Sequence, residues 1–245
     1  MPHHPGVGFS GPTHETGWDF RRVARAVAAL MELLGYDRYG AHGGDWGAAV
    51  SRELAMFDAD HLAGIHINMV TAPPDPETMN DLSEREKDAL ADMTHFQEWE
   101  SGYSKEQSTR PQTVGYGLVD SPAGLCAWIV EMFFAGTDSD GDPANVLTRD
   151  EMLDNVMLYW VPGTGASSAR LYWQSFRDFN GDPITVPTGC SIFPKEIFRP
   201  SRRWAEKRFT DLRYWNELDK GGHFAAFEQP ETFVNELRAC FRPLR

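Results

Sequence analysis

The chain has 245 residues, 41% of them hydrophobic, and a formal net charge of −13. That length suits one large domain or a core with a lid, the apolar share is ordinary for a soluble globular protein, and the acidic balance argues against nucleic acid and anionic membrane surfaces as partners. Three cysteines, Cys126, Cys190 and Cys240, are too few and too scattered for a disulfide framework or a metal signature.

Buried free thiols in a reducing cytoplasm fit those cysteines. No signal peptide is visible at the N-terminus. No uninterrupted apolar run approaches the roughly 18–20 residues that span a bilayer, so no membrane segment is expected.

Met1 to Pro12, rich in Pro, Gly and His, reads as a loop. Trp18 to Leu34 carries Val23, Val27, Leu30 and Leu34 at helical spacing, with Arg21, Arg22 and Arg25 off that face. Gly35 closes this helix as its C-cap. Tyr36 to Ala41 reads as a short strand running into His42-Gly43-Gly44-Asp45-Trp46-Gly47. A small-residue helix pattern, Ala48 to Ala55, leads out.

Strand, sharp turn and helix in that order is the context of a nucleophile elbow, with Asp45 at the exposed apex. Gly43 and Gly47 read as the positions where a missing Cβ lets strand and helix approach. A carboxylate is ionised at neutral pH and needs no base to attack an electrophilic carbon. An ordinary turn with a helix-capping Asp is the competing reading. The flanking pattern and the residues downstream weigh against it.

Leu62 to Val70 is almost continuously apolar, as for a strand buried on both faces of a parallel sheet. Strand, helix and strand make a βαβ unit, and the fold class is α/β. Prolines at Pro73, Pro74 and Pro76 end the strand. From Asp81 to about Asn180 the pattern is helical. Ser83 to Tyr103 reads as one charged helix and Ala123 to Phe134 as an apolar one. Thr148 and Glu151 form a capping box for a third helix, and Ser167 to Phe176 is a fourth. This insert reads as a lid, which divides the chain into a first core segment at 1–70, a helical lid at 71–180 and a second core segment at 181–245.

Strand signals return at Ile184 to Phe193, followed by a short basic helix at Arg202 to Phe209. Leu212 to Leu218 is the last strand. Gly221-Gly222-His223 is a tight loop beyond it. Thr232 to Phe241 closes the chain as an amphipathic helix through Phe233, Leu237 and Phe241.

An ester on Asp45 must be hydrolysed, which needs a base to activate water and an acid to orient that base. His223, on a glycine-flanked loop after a strand, is the candidate base. Glu196, after the preceding strand, is the candidate acid, with Asp211 and Asp219 as rivals. A strained ether substrate would add a demand for a neutral proton donor at the departing oxygen. Tyr103 and Tyr172 are the candidates within the insert. The histidines lack metal-ligand spacing, and neither a dinucleotide fingerprint nor a P-loop occurs, so neither metal nor cofactor is expected.

Together these residues resemble the epoxide hydrolases of the α/β-hydrolase fold, in their microsomal and bacterial branch. The resemblance rests on Pro5-Gly6-Val7-Gly8-Phe9-Ser10, His42 to Gly47, Glu100 to Tyr103 with Arg170 to Tyr172, Val186 to Glu196, and Gly221 to Glu228. It implies that Asp45 opens an epoxide while Tyr103 and Tyr172 donate to its oxygen. Glu196 and His223 would then deliver a water to the ester, and a diol would leave. The Trp46 backbone N–H is implied as half of an oxyanion hole.

Members of the family carry a longer N-terminal portion with a His-Gly-x-Pro segment, and this chain begins after it. The resemblance therefore implies a parallel sheet of the last four family strands, with an exposed edge on which a homo-oligomer could form. Two alternatives accompany it. One is a truncated, non-catalytic fragment of such an enzyme. The other is a related hydrolase such as a haloalkane dehalogenase, with halide-binding donors in place of the tyrosines.

Overall fold

The computed structural model describes residues 3–176 and 181–244. The expected lid boundary at Asn180 lies outside the described residues. Helix α1, Phe20–Leu33, ends as its glycine foretold. Gly35 takes φ +77°, its N–H donates to Glu32 O, and the Tyr36 N–H donates to Met31 O. This paired return is a Schellman motif. The polar residues Asp37 and Arg38 delay the following strand, so β1 spans Tyr39–Gly43 rather than Tyr36 to Ala41.

The chain then alternates helix and strand. Helix α2 is Asp45–Phe57 and β2 is Leu62–Ile67. After an insert come β3, Thr188–Ile192, and β4, Leu212–Glu217. All neighbouring pairs are parallel, in the order β1-β2-β3-β4, and β1 lies at one edge. The strand expected over Ile184 to Phe193 shrinks to its second half, because Pro187 interrupts the donor row. Ile184 keeps only an isolated bridge to Phe209. All five residues of β3 are buried, as are Ile65 and Ile67 of β2, so these two strands have the two-sided burial read from their apolar runs.

Between β2 and β3 lie α3 (Glu84–His95), α4 (Gly102–Thr109), α5 (Pro111–Asp120), α6 (Pro122–Gly136), α7 (Arg149–Trp160) and α8 (Gly165–Ser175). After β3 come α9 (Arg202–Arg208), α10 (Ala225–Glu228) and α11 (Pro230–Phe241). The single helix expected over Ser83 to Tyr103 is broken. A π turn, Phe96–Glu100, separates α3 from α4. Charge periodicity carries no mark of such a change in winding. Helix α5 went unread because Gly115 and Gly117 dilute its pattern. A Cβ at Gly115 would stand 3.0 Å from Ala166 Cβ, so the glycine serves the packing of α5 on α8.

The chain forms two compact units. One contains the described residues of Met1–Val23, Trp99–Ala135 and Ser139–Asn180; the other contains Ala24–Glu98, Gly136–Asp138 and the described residues of Gly181–Arg245. This grouping differs from a division at 70 and 180: the first residues go with the helices, and 71–98 goes with the sheet. In the helical unit, Leu118, Leu125 and Val156 form a core flanked by Trp128, Ile129 and Trp160. The N-terminal loop is tied to α8, where Ser167 Oγ donates to Gly6 O (2.6 Å) and Arg170 donates to Thr13 O (2.9 Å).

In the sheet unit, Leu54, Ile65, Ile67, Ile192, Phe193 and Phe209 are buried together with the strands. Among the described residues no single helix is long and apolar enough to cross a membrane. The apolar pair α5 and α6 is bent by 116°.

Helix α3 is anchored by charge. Ser83 and Glu86 form a capping box, and both Glu86 oxygens also receive the Arg203 guanidinium, at 2.7 and 2.6 Å. That guanidinium, helped by the Ser83 donors, outweighs desolvation and lowers the Glu86 pKa to about 2. A carboxyl depressed on folding stabilises above its ordinary value and loses that contribution as pH falls through the depressed one. The urea midpoint of Glu86→Gln should therefore fall furthest below wild type at neutral pH, and the gap should close as pH drops from 4.5 toward about 2. A gap independent of pH would contradict this.

Candidate active site

The turn from β1 into α2 is strained at its apex. Gly44 is extended, and Asp45, the first residue of α2, has φ +46°. Left-handed backbone is uncommon for a residue with a Cβ, and it persists only where the surroundings impose it. Part of the imposing geometry is a missing side chain. A Cβ at Gly43 would overlap the Gly47 carbonyl and stand 2.6 Å from Ala48 N. One at Gly44 would stand 2.7 Å from the Asn68 side-chain oxygen. Position 47 itself has open space, so the expected need for glycine there is not met; Gly43 and Gly44 carry it instead. Asp45 points its carboxylate outward, 43% exposed, from the first turn of α2, where the helix dipole favours an anion. Trp46 is the next residue of the same turn.

Glu196 follows β3 at the same sheet edge. Its side chain is fully buried. Oε1 accepts the Ile197 N–H (2.7 Å) and faces His223 Nδ1 (2.7 Å), and Oε2 accepts from the Asn68 amide (3.3 Å). His223 follows β4, and the Lys195 N–H donates to Gly221 O (3.1 Å), joining the loop of Glu196 to the loop of His223. The other face of the imidazole, Nε2, lies 3.3 Å from Asp45 Oδ2. Asp45, His223 and Glu196 therefore form one line, brought together from the ends of three strands.

Burial works against a charge on His223. The Glu196 carboxylate and the bond to Asp45 outweigh it and hold the imidazole well above its ordinary pKa of 6.5. With the proton on, both ring nitrogens donate, one to each carboxylate. The rival acids stand elsewhere. Asp211 precedes β4 and grips Arg213 (2.8 Å), and Asp219 is exposed in the turn after β4.

Tyr103 and Tyr172 are neighbours within the helical unit. Tyr103 is in α4 and Tyr172 in α8, and their rings meet edge to face with centroids 6.1 Å apart. Asn68 was not read from the sequence. It is 4% exposed, touches the elbow and bonds the acid. Its signal was present: an Asn at the end of an otherwise apolar strand needs a buried partner. Among the described residues, no group of three His, Cys, Asp or Glu could hold a metal ion.

Residues 1–109 match the family model described as alpha/beta hydrolase fold. A protein of Stigmatella aurantiaca (strain DW4/3-1) named "Putative epoxide hydrolase" is 51% identical over 100% of this chain and 56% of its own length. Epoxide hydrolase 1 of Sus scrofa is 32% identical over 97% of this chain and 58% of its own. The crystal structure of juvenile hormone epoxide hydrolase from the silkworm Bombyx mori superposes with a TM-score of 0.89 at 32% identity, covering 100% of this chain and 63% of that one. The chain thus spans little more than half the length of the curated relatives it matches. Its fold is that of the α/β-hydrolases, and its sequence is similar to those of proteins named as epoxide hydrolases.

Proposed function

We propose that this chain opens epoxides with Asp45 and releases vicinal diols. The observation that carries this reading is the carboxylate–imidazole–carboxylate line at a left-handed elbow. A serine at that apex would need a base before attack. An aspartate needs one only afterwards, to hydrolyse the ester that it becomes.

In the first step an Asp45 oxygen attacks a ring carbon and the ring C–O bond breaks. Tyr103 and Tyr172 are assigned as donors to the departing oxygen, which takes a proton from a phenol. Esterification then cancels the charge on Asp45. One of the two anions holding the proton on His223 is gone, while the burial that opposes the cation remains. The imidazole pKa therefore falls, and His223 releases its proton, which restores the phenol that protonated the ring oxygen.

Neutral His223 keeps Nδ1–H on Glu196 and presents an Nε2 lone pair. It takes a proton from water and hydroxide adds to the ester carbonyl; the bond to the alkyl oxygen then breaks, the departing alkoxide takes the proton of the added hydroxyl, and the diol leaves with Asp45 a carboxylate and His223 protonated as at the start. The Trp46 N–H, at the start of α2, is assigned to the oxyanion. The sum is one epoxide and one water giving one diol.

Two outcomes check this reading. Purified chain given a simple aryl epoxide should form diol, and Asp45→Ala should form none above background. With His223→Gln the ester should accumulate on Asp45 and appear by intact mass. No turnover by the wild-type chain above the Asp45→Ala control would overturn the activity for this chain. Separately, Asp45→Asn should lower the pH at which His223 titrates by NMR, since an anion beside an imidazole favours its charged form. An unchanged midpoint would show that Asp45 does not set the charge of the base.

A further inference from the structure

The His223 loop is held by its backbone as well as by its side chain. The Gly221 N–H donates to the Asp138 carboxylate (2.9 Å), the Gly222 N–H to Glu228 Oε1 (3.2 Å), and the His223 N–H to Gly136 O (2.8 Å). Three consecutive amides are thus taken by two segments, one far upstream at 136–138 and the other Glu228 in the helix that follows. The segments are also joined to each other, because Glu228 Oε2 accepts the Asp138 N–H (2.7 Å). Glu228 ends α10, two residues before the start of α11, and is 8% exposed.

The loop is built to let this clasp close. Gly221 and Gly222 are buried. A Cβ on Gly222 would overlap the Gly136 carbonyl and stand 3.1 Å from Asp138 N. Gly221 has φ +113°, and a Cβ there would stand 2.7 Å from the Phe193 ring. A buried loop whose N–H groups have no ladder partner must place them on something. Here two of them, and the Asp138 amide, go to carboxylates, whose bonds to N–H are about twice as strong as neutral ones.

The purpose of such rigidity lies in the next residue. The imidazole has to meet Glu196 at 2.7 Å and Asp45 at 3.3 Å at once. A 1 Å misplacement of a reacting group can cost about 10²-fold in rate.

We propose that Asp138 and Glu228 are positioning residues, which hold Gly221–His223 by its backbone and thereby set the imidazole between Glu196 and Asp45. The catalytic part of this rests on the epoxide-opening reading; the clasp itself does not. Glu228 uses both oxygens on two donors, so Glu228→Gln offers one oxygen and turns an NH2 toward the other N–H. Asp138 receives one N–H from the loop, so Asp138→Asn keeps the needed acceptor, and Asp138→Leu removes it.

The test separates the two half-reactions and adds amide exchange. Wild type, Glu228→Gln, Asp138→Leu and Asp138→Asn are mixed with an aryl epoxide, and the Asp45 ester is followed by intact mass. Ester formation, which does not use His223, should proceed near the wild-type rate in all four. Ester hydrolysis should fall by up to roughly 10²-fold in Glu228→Gln and Asp138→Leu, so that ester accumulates, and Asp138→Asn should restore it. Hydrolysis at the wild-type rate in the first two variants would overturn the proposal. So would an equal loss of both steps without rescue by Asn, which is the mark of a structural role alone.

Hydrogen exchange on the wild-type protein decides the clasp without any variant. The Gly221, Gly222 and Asp138 amides should exchange as slowly as those of β3, and exchange at the rate of an open loop would overturn it. If wild type forms no ester, the reading of the reaction fails, and the exchange result still stands on its own.

Discussion

A carboxylate removed from water costs several kcal/mol unless its oxygens find donors. Glu196 meets that condition with the Ile197 N–H and the His223 ring on one oxygen and the Asn68 amide on the other. Its position is therefore set by three separate pieces of chain: its own turn, the end of β2 and the loop after β4. The imidazole inherits this rigidity through Nδ1. Asp45, by contrast, is 43% exposed. The candidate site pairs a fixed, dry carboxylate with a wet one, and one histidine spans the difference.

Asn68 connects the acid to the elbow. Its amide bonds Glu196 while its head group fills the space that a Cβ on Gly44 would need. The left-handed residue at Asp45 costs on the order of 1–3 kcal/mol. The surroundings that hold it there include the pairing of β1 with β2, the burial of Ala48, Ala49 and Leu54 in α2, and this asparagine. Strain at Asp45 and orientation of His223 are thus coupled through the strand next to the elbow.

The legible parts of this molecule are those written in local patterns. Gly35 as a stop, Thr148 with Glu151 as a cap, and Leu62 onward as a buried strand each follow from neighbours a few residues apart. The order of Asp45, Glu196 and His223 was legible too, because parallel strands end at one edge and their loops must meet there. What escaped was set by distant packing. The π turn at Phe96–Glu100, the glycine-diluted α5 and the preference for glycine at 44 over 47 depend on partners far along the chain. Tyr103 and Tyr172 rested on resemblance for their role, since an aromatic at helical spacing carries no mark of chemistry. Their edge-to-face contact within the helical unit is the part the fold supplies.

A second buried polar line crosses the sheet beneath the site, and its donors can be ordered by elimination. Tyr214 and Asn216 donate to the two oxygens of Glu236, and Ser191 Oγ also donates to Oε2 (2.6 Å). Ser191 has spent its only proton, so it accepts from His66 Nε2 (2.9 Å). Neutral His66 then has a lone pair on Nδ1, and His42 Nδ1, 3.0 Å away, must carry the proton between them. Burial keeps both rings neutral at ordinary pH, lowering His42 to about 4 and His66 to about 3. The line touches all four strands and ends at His42, three residues before Asp45. A one-residue slip of any strand would strand a polar group inside the sheet, at a cost of roughly 1–3 kcal/mol per lost partner. Register is therefore specified by hydrogen bonds as well as by apolar burial, and the strand that leads into the elbow is the one on which that specification ends.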